Sequence, residues 1–313
     1  AWLIAARVAQ GVGGAIAAPT ALALIATTFH GDAPNRAFGM YAAMGASGGA
    51  FGLLVGGILT DVASWRWALF INVPIALVVL LLAPRVLNES QGSGSKLDLP
   101  GAVTATAGMS LLVYGFSNAA TDGWTAATTI ASLVGAVSLL VLFVAIELRS
   151  AAPLMPVHIF SNRDRTGAYL IMLLLAAGMF AIAFFTTQYL QTVHGWSSFR
   201  TGLGFLPLPL TIMVMSLVVV RRAVPRVGVR PFLLAGPLLA GCGLFVLSLL
   251  DTGSGYPHVL GGMLLVGVGM GCVFVPLTIT AVAGVAPHET GLASALLNSG
   301  QQIGGAIGLA VFG

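Results

Sequence analysis

Residues 37–61, AFGMYAAMGASGGAFGLLVGGILTD, run without a formal charge until Asp61 closes the stretch. A bilayer's hydrocarbon core is roughly 30 Å thick and an α-helix rises about 1.5 Å per residue, so about 20 apolar residues make one crossing. This stretch has that length, and its glycines and alanines suit a helix with packed neighbours on one side and lipid on the other. The same pattern continues in both directions, with spans at 1–29, 37–60, 66–84, 100–118, 126–148, 167–192, 202–220, 231–250, 257–285 and 291–313. The expected fold is an all-α integral membrane protein of about ten transmembrane helices.

Composition agrees. The chain is 58% hydrophobic and 7% charged, whereas a soluble domain carries about 25% charged residues. Both ends fall inside apolar runs, with neither an initiating Met nor the layout of a signal peptide, so the sequence reads as a piece of a longer protein. Cys242 and Cys272 sit in apolar spans without disulfide or metal-ligand spacing and read as small core residues.

Positive charge sorts the breaks between spans. Arg36, Arg85, Lys96, Arg149, Arg163, Arg165, Arg221, Arg222, Arg226 and Arg230 fall in alternate breaks, and the opposite set holds Arg66 and Arg200. The first set is expected in the cytoplasm. Trp2, Trp65, Trp67, Trp124 and Trp196 then lie at or near the other surface, where an amphipathic ring suits the headgroup layer. A net charge of +4 follows from those arginines and calls for no nucleic acid.

The second span carries Gly39, Gly48, Gly52 and Gly56, and the tenth repeats that spacing at Gly291, Gly300, Gly304 and Gly308. Small residues every four positions make a flat face on which another backbone approaches closely. Such a face serves either as a fixed packing seam or as a surface along which helices rock. In the tenth span, Ser294, Asn298 and Gln301 occupy a different face, one that could line a polar cavity. Parallel repeats with a substrate site between the halves, near the midplane, are one way transporters are built.

Several runs resemble the major facilitator superfamily. LIAARVAQGVGGA, with Arg7, Gln10 and Gly11, resembles its fourth-helix motif, and Gly39, Gly48, Gly52, Gly56 and Gly57 resemble the fifth-helix motif of its drug:proton antiporters. That motif has proline after its third glycine, where this chain has Leu53. WRWALFINVPI (Trp65 to Ile75) is similar to the start of the sixth helix. PLMPVHIFSNR (Pro153 to Arg163) and QYLQTVHGWS (Gln188 to Ser197) are similar to the runs flanking the ninth. PRVGVRP (Pro225 to Pro231) resembles the cytoplasmic gating loop, with Pro225 where an aspartate is usual.

The two ladders lie eight helices apart rather than six, so the resemblance implies the fourteen-helix branch, helices four to thirteen. It divides the chain into the end of an amino-terminal half (1–87), a linker with two extra central helices (88–150) and a carboxy-terminal half (151–313). It implies a plasma (inner) membrane, multi-pass transporter, functional as a monomer, working on a small molecule and protons in the lipid bilayer.

Individual residues carry competing readings. Arg7 is the one basic residue well inside a span, and holding a cation there costs a few kcal/mol on insertion scales, so it needs a partner. It reads as a coupling or gating residue, or as a structural arginine bound to carbonyls. Asp61 reads as a gating residue, or as half of an interfacial ion pair with Arg66. Asn72, Gln188, Gln191, Asn298 and Gln301 read as helix glue or as the lining of a polar, nearly uncharged cavity. Every Asp and Glu lies at a span end or in a loop, which leaves the proton carrier to be sought upstream.

The histidines (His30, His158, His194, His258, His288) sit in loops or at helix ends, and the spans hold no P-loop, HExxH, GxSxG or paired carboxylate. The sequence therefore points away from catalysis and calls for no cofactor and no metal. Secondary transport remains, with proton-driven efflux of drugs or other amphipathic molecules first. Proton-coupled uptake or export of a metabolite is the alternative, and a channel or structural membrane protein the remote one.

Overall fold

The computed structural model describes residues 2–29, 33–86, 98–150, 153–155, 157–285 and 289–312. His30, Lys96, His288 and the 87/88 division lie outside the described residues. Helical runs fall on each of the ten apolar stretches: α1 (Trp2–Thr28), α2 (Ala33–Val62), α3 (Trp65–Phe70), α4 (Asn72–Val86), α5 (Leu99–Asp122), α6 (Ala127–Glu147), α7 (Arg163–Gln188), α8 (Ser198–Phe205), α9 (Pro207–Val214), α10 (Arg221–Val227), α11 (Arg230–Ser248), α12 (Tyr256–Val282) and α13 (Thr290–Phe312). Among the described residues, seven of these runs are long and apolar enough to cross a membrane.

Helix starts follow local chemistry. Asp98 accepts from the Gly101 amide at 2.9 Å, Asn162 from Arg165 at 3.1 Å and Ser197 from Arg200 at 3.2 Å, each giving an end donor the partner a helix cannot supply. Proline stands in the first turn of α5, α9, α11 and α12, where its missing N–H is harmless. Two wide π turns, Tyr189–Val193 after α7 and Met215–Val220 after α9, interrupt spans that periodicity renders as single helices. Between α3 and α4 the chain bends at Ile71, and the Asn72 amide donates to the Leu69 carbonyl at 3.1 Å.

Packing is uneven. Helices α7 to α13 surround a core in which Ile159, Leu190, Val259 and Met263 are fully buried. Within it α11 lies directly on α12: a Cβ added to Gly269 would stand 2.5 Å from the Ala240 nitrogen, and one on Gly243 would stand 2.7 Å from that of Val266. Along α3–α4, by contrast, the best apolar window buries nothing, with Leu80 68% and Leu81 67% exposed. Water would punish that surface and lipid does not. The α5–α6 hairpin contacts the rest of the bundle through α13.

Two side chains depart from expectation. Cys272 is buried, but Cys242 is exposed on α11, because the helix turns its glycine face, rather than that cysteine, toward α12. Pro225 lies inside α10, and the chain turns after it at Gly228, whose φ of 78° favours glycine.

Candidate functional site at the junction of α2 and α8

The end of α2 that carries Asp61 meets the start of α8, and the two border a shallow, open cleft of about 300 Å³. Gly52, Gly56, Gly57 and Thr60 of α2 form one wall. Thr187, Gln191, Thr201 and Phe205, from the end of α7, its π turn and α8, form the other. Three hydroxyls in this lining are turned back onto their own helices: Thr60 donates to Gly56 O at 2.7 Å, Thr187 to Ala183 O at 2.6 Å and Thr201 to Ser197 O at 2.9 Å. That leaves the Gln191 amide, which makes no hydrogen bond among the described residues, as a polar group free to meet a guest. A concave, mostly apolar wall with one or two oriented polar groups is the usual form of a small-molecule site.

Gly57 and Asp61, one helical turn apart, make the closest contact between the walls. A Cβ on Gly57 would stand 2.9 Å from Ser198 O and 3.0 Å from Phe199 Cα, so only glycine lets these backbones meet. Asp61 accepts from the Ser198 amide through Oδ1 at 3.1 Å and from the Phe199 amide through Oδ2 at 2.9 Å. The ion pair with Arg66 that sequence proximity suggested does not form: Arg66 stacks over Trp65 at 5.7 Å, and Arg200 over Trp196 at 4.3 Å. Asp61 has taken the backbone donors of a distant helix end instead.

The other sequence candidates fall elsewhere. Arg7 donates to Gln10 Oε1 at 2.7 Å on the exposed face of α1, and nothing lies within 4 Å of a Cβ placed on Gly11. The same openness surrounds Gly48, Gly52 and Gly56, while Gly39 lies in the first part of α2. Gln188 and Gln191 are both exposed, but Gln188 is not among the residues lining the cleft; the π turn beginning at Tyr189 changes the angular spacing between them. Asn72 serves the α3–α4 bend. Asn298 reaches back to Ser294 O at 3.4 Å and Gln301 is half-buried, and neither joins the cleft.

A larger hollow of about 570 Å³ lies along Trp67, Phe70, Val73 and Pro74. It is built by the α3–α4 segment and Ser64, with no facing helix among the described residues.

Sequence reasoning missed polar anchors at the arginine-rich end. Arg165 is 6% exposed and donates to Ile159 O at 3.1 Å and Ala283 O at 2.8 Å, tying the start of α7 to the end of α12. Glu147, 4% exposed, accepts from the Met155 amide at 2.8 Å. As one arginine among ten in the positive breaks and one acid at a span end, neither carried a local signal. At the opposite end, in the α11–α12 loop, the Ser254 hydroxyl and then the Gly253 amide hold the Asp251 carboxyl below the usual carboxylate range.

The sequence profile of the Major Facilitator Superfamily matches residues 1–309. The chain belongs to that superfamily. It is 41% identical over 316 residues to the puromycin resistance protein pur8 of Streptomyces alboniger, covering 99% of this chain and 62% of the relative. It is 41% identical to the cephamycin export protein CmcT of Amycolatopsis lactamdurans, covering 99% and 65%. It is 40% identical to the uncharacterized MFS-type transporter EfpA of Mycobacterium tuberculosis (strain ATCC 25618 / H37Rv), covering 99% and 59%. The chain thus spans about three fifths of the length of these curated relatives. It is a membrane protein of a transporter superfamily.

Proposed function

We propose that this chain is the larger part of a secondary active exporter that moves amphipathic small molecules out of the cell by alternating access, driven by protons. The observation that carries the reading is the similarity, along 99% of the chain, to proteins named for puromycin resistance and cephamycin export. The α2–α8 cleft fits it: a glycine wall faces a lining that is apolar apart from Gln191 and small hydroxyls, which suits guests held mainly by apolar contact.

In this reading residues 1–87 close an amino-terminal half, 88–150 supply two extra helices, and 151–313 form most of the other half, in a fourteen-helix, monomeric, inner-membrane protein. The loops near Arg36, Lys96, Arg163 and Arg226 face the cytoplasm, and the tryptophan-bearing end, with the cleft and Asp61, faces outward. Arg7, Gln10 and Gly11 act in coupling, and Gly39, Gly48, Gly52, Gly56 and Gly57 form a surface that shifts during the cycle. Asn298 and Gln301 line the path in another state.

The test is efflux of a fluorescent cationic dye from the full-length protein in vesicles with an imposed pH gradient. Gradient-dependent movement out of the cytoplasmic compartment supports export. Movement in the opposite sense supports uptake. Cysteines at Ser161 and Ser254 check the orientation: an impermeant thiol reagent should reach Ser254→Cys from outside and Ser161→Cys only after the cytoplasm is opened.

A further inference from the structure

We propose that the Asp61 carboxylate is a latch that holds the tryptophan-bearing end of the transporter shut by capping a helix of the opposite half. This rests on the reading above, in which α2 and α8 belong to halves that move apart.

The first N–H groups of any helix lack partners within it. In α8 they are divided between two residues. Ser197, immediately before the helix, accepts from Arg200 in the usual manner. The amides of Ser198 and Phe199 are taken by Asp61, one oxygen to each, from 137 and 138 positions away in the sequence. An anion facing the positive end of a helix is favourably placed, and hydrogen bonds to a charged acceptor are about twice as strong as neutral ones.

Neither nearby cation competes. Arg66 and Arg200 are committed to Trp65 and Trp196, so the attraction of Asp61 is directed at the backbone of α8. Gly57 sets the distance, because any Cβ there would press on Ser198 O and push α8 off the carboxylate. Opening the cleft between α2 and α8 breaks both bonds at once and leaves the two amides, like the already exposed carboxylate, to water. The contact is thus a two-state element: made when the cleft is closed, absent when it is open.

The experiment uses the full-length protein with Cys242, which is exposed, replaced by alanine and Thr187→Cys introduced in the cleft wall, while buried Cys272 stays as an internal reference. Intact cells are treated with an impermeant thiol reagent and labelling at both sites is quantified. Asp61→Asn keeps the shape but loses the charge, and should raise labelling at position 187 about tenfold, as befits the loss of a charge-assisted pair. Ser198→Pro removes the weaker donor while proline fits the first position of a helix, and should raise it about threefold. Cys272 should stay unlabelled in both.

Unchanged labelling of the cleft in Asp61→Asn at normal abundance would overturn the latch, and so would an equal rise at Cys272, which reports general loosening. If Asp61→Asn does not insert, Ser198→Pro decides by the same criterion. Absence of dye transport in the parent protein would count against the export reading alone, because the labelling comparison does not depend on it.

Discussion

Two helices carry the same glycine spacing and meet different surroundings. In α13 the ladder is closed: a Cβ on Gly304 or Gly308 would collide with the backbone oxygens of Leu173 and Ala177 on α7, and one on Gly305 would stand 2.6 Å from the Phe180 ring. Tyr169 of α7 adds a hydrogen bond to Ala293 O at 3.2 Å. In α2, nothing among the described residues lies within 4 Å of a Cβ at Gly48, Gly52 or Gly56, and Gly57 meets the backbone of α8. Spacing creates a flat face. What that face does depends on the helix opposite, which the spacing does not encode. The α13 ladder is a seam packed against α7, whereas the α2 ladder borders a cleft.

The largest effect should come from the closed ladder. Gly304→Leu forces a side chain into the α7 backbone, and overpacking costs typically about 1–3 kcal/mol, more where backbone must move. The amount of folded, inserted protein should fall sharply and its melting temperature in detergent should drop by several degrees; a mutant that melts like the parent would remove the distinction between the ladders. Gly57→Leu comes next. It should insert, displace α8 from Asp61, and lose more transport than protein, as read by dye efflux normalised to abundance.

Arg7→Ala should reduce efflux with little change in abundance, since the Arg7–Gln10 contact lies within α1 and reaches no other helix among the described residues. Arg7→Lys should keep part of the activity, because the charge survives and the planar donor fork is lost. If efflux falls only in proportion to protein, Arg7 is structural.

How much was legible in the sequence follows from how local each cause is. The apolar stretches predicted where helices fall, because bilayer thickness and helical rise act on contiguous residues. The bend at Ile71 was not legible: the sequence placed Asn72 inside one continuous span, as helix glue or cavity lining. Nor was the π turn at Tyr189. The Tyr189 hydroxyl reaches Asp251 O at 2.7 Å and Ser254 O at 2.6 Å, so residues some sixty positions downstream hold that turn in place.

Of the residues singled out in the sequence, Gly52, Gly56, Gly57 and Gln191 line the α2–α8 cleft, whereas Gln188, Asn298 and Gln301 lie apart from it. Asp61 was identified and given the wrong partner. A neighbouring arginine is visible in sequence, whereas the free amides of a helix end 137 residues away are not. Arg165 shows the same limit: its acceptors are carbonyls, which every residue has.

On the proposed reading the α2 ladder moves against a partner while the α13 ladder does not, and a Gly52→Leu substitution separates the two. Nothing among the described residues lies within 4 Å of a Cβ at Gly52, so the substitution should cost little stability, within about 0.5 kcal/mol as for an ordinary surface change. A full-length Gly52→Leu protein should insert and melt like the parent and yet fail to move dye when the pH gradient is imposed, because the larger side chain blocks the approach required elsewhere in the cycle. Parental transport at parental abundance would contradict it.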